Sequence, residues 1–172
     1  VSVLPLVHGL TTPGVLYGAN AATSSAVLVA IPLALLNAAP LLLHRRPIGR
    51  QVLRRWRAWV GAGMAGSTAL AIALLVDTEL LPAPTMGAWS AVTVAVISLA
   101  GCIGLALRQL ELAQISRRPG SLAVAAAFVL IGASALVWLG ERPFNAGFWF
   151  AHVLDVIGVL LGCIAAIRSY HL

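Results

Sequence analysis

A histidine and an aspartate stand inside an apolar run near the end of the chain, GFWFAHVLDVIGVLLGCIAAIR at 147–168. His152 and Asp155 are three positions apart, so a helix puts them on one face. Trp149 lies one turn above them, and Val159 and Gly162 continue the line. If this run crosses a bilayer, a titratable side chain in the hydrocarbon costs on the order of 3 kcal/mol unless it faces protein or water. Three kinds of chemistry would account for the pair. In the first, Asp155 bonds the imidazole, or a Ser, Thr or Asn on a neighbouring helix, and locks the helices together. In the second, the imidazole binds a metal, a haem or a quinone, and Asp155 fixes its tautomer. In the third, the two groups carry a proton, which needs access to water.

His8 bears on the choice. It sits in VSVLPLVHGL at 1–10. If that stretch is the outer end of a helix, His8 and His152 lie near one membrane depth. Two imidazoles facing each other there would ligate a haem iron or a metal. A lone His at a helix end otherwise reads as a cap or an interfacial residue. His44, beside Arg45 and Arg46, and His171 in the tail read as solvated. Arg108 with Glu111, and Glu141 with Arg142, read as surface ion pairs. Cys102 and Cys163 fall within apolar stretches, where thiols are inert packing, and their spacing suits neither a disulfide framework nor a CxxC metal site. No P-loop, GxSxG, HExxH, catalytic carboxylate pair or aromatic-basic surface is found. We therefore expect no catalytic activity in this chain and no nucleic-acid partner.

The elements that must position these residues follow from composition. Of 172 residues, 60% are hydrophobic and 9% charged, against about 25% charged in soluble domains. This is the composition of a polytopic all-α membrane protein. Windows of about 20 apolar residues mark spans, and five stretches qualify, roughly 20–43, 58–76, 87–107, 121–140 and 147–167. All eleven basic residues are Arg, which suits a GC-rich bacterial genome. If the loop HRRPIGRQVLRRWR at 44–57 is cytoplasmic, every arginine except Arg142 falls on the cytoplasmic side. The positive-inside rule then orients the first span outside to inside and leaves the C-terminus in the cytoplasm of a bacterium, with the protein in its inner membrane. Trp89, Trp138 and Trp149 mark the outer interface, and Trp56 and Trp59 the inner one. The basic loop is expected to be a solvated segment, the alternative being a short amphipathic helix on anionic lipid.

Residues 1–10 are too short to span and lack the charged start and cleavage site of a signal peptide. They are either an interfacial segment or the last turns of another span, with TTPG at 11–14 as a tight outer turn. We expect the second, which gives the intact bundle at least six helices. Within the bilayer, small residues set the close approaches: Gly61 with Ala65, Ala62 with Gly66, Ala100 with Gly104, and Gly158 with Gly162. They are expected to pack helices within the chain, the alternative being a homodimer face. Pro32 and Pro40 each remove a helix donor, and Asn37 is placed either to satisfy a freed carbonyl or to bond a neighbouring helix.

Two stretches, HGLTTPGVLYGAN at 8–20 and FWFAHVLDVIGVLLG at 148–162, resemble the membrane-embedded sensor regions of bacterial signalling proteins. These are of the membrane-associated sensor type found ahead of cyclase or histidine kinase outputs. The resemblance implies a helical input domain whose last span leaves the membrane near Arg168 toward a cytoplasmic output domain or partner. It makes His8, His152 and Asp155 candidate ligand or cofactor contacts, alongside Trp149. The function expected is sensing of a small apolar or redox ligand, relayed by a helix shift. The alternative is a membrane anchor or redox subunit of a respiratory complex holding haem or quinone. A small proton-coupled transporter is disfavoured, because no inverted repeat and no paired broken helices are seen.

Overall fold

The structure is a computed structural model that describes residues 3–81, 89–116, 119–140 and 145–170. The described residues form seven helices, α1 (Val3–Thr11), α2 (Ala22–Leu42), α3 (Pro47–Arg54), α4 (Trp56–Val76), α5 (Trp89–Ser116), α6 (Pro119–Gly140) and α7 (Ala146–Tyr170). Among the described residues there is no strand, only one isolated bridge between Pro13 and Tyr17. All but α1 and α3 are long and apolar enough to cross a membrane. The chain is an all-α polytopic membrane protein.

It divides into two compact units, one up to residue 94 and one from residue 95 onward. In the first, Leu4 and Val7 of α1 pack against Ala22 and Ala26 of α2 and Ala71 and Leu74 of α4. The alanines let the backbones approach closely where no water drives association. Residues 3–11 are thus a docked helix. The turn after it is built by Pro13 and Gly14: Val15 N–H donates to Thr12 O at 3.1 Å, and Gly14 has φ +90°, the left-handed value a type II turn asks of its third residue.

Trp59 of α4 donates its indole N–H to Asn37 O of α2 at 3.0 Å. The Asn37 amide folds back on Leu33 O at 2.9 Å, so it satisfies neither Leu28 nor Leu36, the carbonyls that Pro32 and Pro40 leave without donors. The close approach of α2 to α4 uses Gly63, where any Cβ would strike the Asn37 amide. Gly61, Ala62, Ala65 and Gly66, expected to pack helices within the chain, are exposed instead. Helical phase decides between the two sets, since α4 buries Ser67, Ala71 and Leu74 and Gly63 continues that line while the others do not.

Within the 44–57 loop, residues 47–54 form the short helix held as the alternative, with Pro47 at the first helical position, where its missing N–H costs nothing. The third span runs to Ser116, well past 107, because RQLELAQIS continues with good helix formers. Arg108 and Glu111 pair there at 2.8 Å. Glu141, Arg142 and His171 lie outside the described residues, as does the Trp138 side chain.

Candidate functional site

In the second unit α6 and α7 form an antiparallel pair, and the seam between them determines what His152 and Asp155 meet. On α7, Phe148, Ala151, Gly158 and Ala165 are buried and Asp155 and Gly162 half-buried. Their spacing alternates between three and four, the rhythm that keeps one helix face on its neighbour. A Cβ at Gly158 would meet Ile131 Cγ1 at 2.9 Å and Ala127 O at 3.1 Å, and one at Gly162 would touch Ala127 Cβ at 3.9 Å. The Gly158 and Gly162 pair therefore packs within the chain. Val159, placed on this face by the sequence reading, is 55% exposed. The seam passes through 158 instead, one residue off a straight i+4 step. Across α6, Gly132 lies against Cys102 and Leu99 of α5, and Cys102 is buried.

Asp155 is the polar point of the α7 seam. It sits about 14 Å from the start of α7 at a rise of about 1.5 Å per residue. Ser134 Oγ, itself fully buried, lies 2.5 Å from Asp155 Oδ1 and 2.8 Å from Ile131 O on its own helix. One hydroxyl proton thus faces two acceptors, and a proton on the carboxyl would let both bonds form. A bond to a Ser on a neighbouring helix is among the partners the sequence suggested for Asp155, and it is present here.

His152, one turn nearer the start of α7, is half-buried. Its ring is 4.3 Å from the ring of Phe148 and 5.9 Å from that of Trp149, centroid to centroid, and those two meet edge to face at 5.3 Å. Its Nδ1 is 2.8 Å from Phe148 O. A carbonyl only accepts, so Nδ1 is the donor in this bond. Trp149 is 57% exposed. Asn145 opens the helix by accepting the Phe148 N–H on Oδ1 at 2.8 Å, which fixes the aromatic platform at its first turn.

His8 belongs to the first unit and has a different setting. Its Nδ1 donates to Thr23 O at 2.8 Å. Around it, Thr23 Oγ1 and Asn20 Nδ2 donate to Thr11 O at 2.6 and 2.7 Å. Thr12 Oγ1 donates to His8 O at 2.7 Å. Glu79 Oε1 accepts the N–H of Ala21 at the start of α2 at 3.2 Å, where helix polarity favours a carboxylate. This network joins α1 to α2. His44 donates to Leu41 O at 3.0 Å. Among the described residues, no three His, Cys, Asp or Glu side chains gather as a metal would need. Sequence reasoning did not single out Ser134, Asn145, Asn20 or Thr23.

Comparison with known proteins adds nothing to this geometry: no family model, no curated protein and no solved structure matches the chain.

Proposed function

We propose that the chain is a membrane-embedded input domain of a bacterial signalling protein. A small apolar or redox ligand enters beside Trp149 and His152 at the first turns of α7, shifts α7 against α6, and the shift is read by a cytoplasmic output domain or partner. The observation that carries this reading is the Ser134–Asp155 bond beneath the Phe148–Trp149–His152 platform. Below the platform the seam is made of small residues, which lets one helix slide on another. Interhelical hydrogen bonds in membranes are worth about 0.6 to 2 kcal/mol, so a ligand that prefers one packing by about thirtyfold is enough to offset this one. Ligand taken up with equal affinity in both packings would shift nothing. The arginine asymmetry supports an inner-membrane location with the 44–57 loop and the C-terminus in the cytoplasm.

Replacing His152 tests the reading. In the full-length protein, His152→Ala is expected to blunt the change in output between oxidised and reduced quinone pools while insertion stays intact. Unchanged signalling in a properly inserted variant would refute it.

A second reading rests on the two histidine side chains. Both His8 and His152 give Nδ1–H to a backbone carbonyl, the kind of bond that orients metal-bound imidazoles. This favours a haem- or quinone-binding anchor of a respiratory complex. A sharp Soret band in the purified protein would support haem; its absence in protein purified from haem-supplemented cells would count against it.

A further inference from the structure

We propose that α3 and its flanks form a binding site for the phosphate headgroup of an anionic phospholipid. The helix has two faces. Ile48, Gly49, Val52 and Leu53 occupy one arc and Pro47, Arg50, Gln51 and Arg54 the other. Gly49 is buried where a Cβ would collide with the Leu43 backbone at the end of α2, so Gly49 with the half-buried Val52 and Leu53 is turned to the protein, while Ile48 at the edge of that arc stays exposed. The opposite arc, with Arg55, lines an open cleft of about 530 Å³ whose walls are Pro47, Arg50, Gln51, Arg54 and Arg55.

Charge identifies the occupant. Arg45, Arg46, Arg50, Arg54, Arg55 and Arg57 stand within one loop that contains no Asp or Glu. The only ion pair among the described residues is Arg108 with Glu111. Arg50 and Arg54 are one turn apart on one face, a like-charge spacing that destabilises a bare helix. An anion between them reverses the sign. Guanidinium groups hold phosphate oxygens through paired N–H donors, and Gln51 adds a neutral donor.

Location selects a lipid over a soluble anion. The helix joins two membrane-spanning helices, so it lies at a bilayer surface. Ile48 and Trp56 beside it are 65% and 54% exposed, as suits side chains at the boundary of the acyl region.

Native mass spectrometry of the purified full chain tests the site, with phosphatidylglycerol, phosphatidylcholine and inorganic phosphate as probes. Phosphatidylglycerol is expected to be retained in preference to phosphatidylcholine. The Arg50→Gln/Arg54→Gln/Arg55→Gln variant is expected to lose that preference by about fivefold per arginine. A matched variant, Arg45→Gln/Arg46→Gln/Arg57→Gln, removes equal charge from the same loop and is expected to keep it. The single Arg54→Gln leaves the other arginines to hold topology and is expected to lose about fivefold. Equal loss in the two triple variants, no preference in the wild type, or displacement of the lipid by millimolar inorganic phosphate would each overturn the proposal.

Discussion

At the scale of single residues, the cost of an acidic group in the bilayer is met by one hydroxyl. Ser134 gives Asp155 a partner on the facing helix, and it also leans on Ile131 O. Removing either side leaves a polar atom in a dry seam, which costs more than the bond itself contributes. Ser134→Ala is therefore expected to destabilise the α6–α7 pair by about 1 kcal/mol. Asp155→Asn is expected to be mild, because the amide can donate to Ser134 Oγ while Ser134 donates to Ile131 O. Unfolding in bicelles of the two single variants and the double variant would measure the coupling. Additive losses would mean that the two side chains do not interact. The pairing was legible in part. Asp155 announced the need for a partner, and Ser134 is the polar side chain of mid-α6. Asp155 with Ser134, Gly158 with Ile131 and Gly162 with Ala127 all reflect through a point midway between positions 144 and 145. A hairpin centred there pairs them without further information.

At the scale of elements, glycine phase separates contacts that spacing alone cannot. The pairs at 61–66 and at 158–162 look equivalent in sequence. Yet nothing lies within 4 Å of a Cβ built at Gly61, while one at Gly158 meets Ile131 and the Ala127 carbonyl. Gly158→Leu is expected to cost about 1 to 3 kcal/mol through overpacking, and Gly61→Leu to be near neutral. Thermal unfolding in one detergent distinguishes them, and equal losses would contradict the packing described. The reason for the difference lies in the neighbours: a helix face is buried by what stands across from it, and a motif within one helix does not say which face that is. The same holds for α3. Its residues read as a polar loop because six arginines dominate the composition, while Pro47 and the two-sided pattern at 48–54 carried the helix signal.

At the scale of the whole molecule, hydropathy and helix length made the five membrane-spanning helices legible, with ends displaced by a few residues except at Ser116. The docked α1 was legible from TTPG, whose Pro and Gly stop one helix before the next begins. The polar network around His8 was not, because Thr11, Asn20 and Thr23 act through backbone carbonyls that no residue type reveals. The input role of α7 depends on Asp155 facing protein rather than lipid. A spin-label scan of α7 in bilayers tests it, with single cysteines introduced from 151 to 167 on a Cys102→Ala/Cys163→Ala background and collision with dissolved oxygen read at each site. Accessibility minima are expected at 151, 155, 158, 162 and 165, with maxima at 153, 156, 160, 164 and 167. A maximum at 155 would place the carboxylate among acyl chains and remove the site.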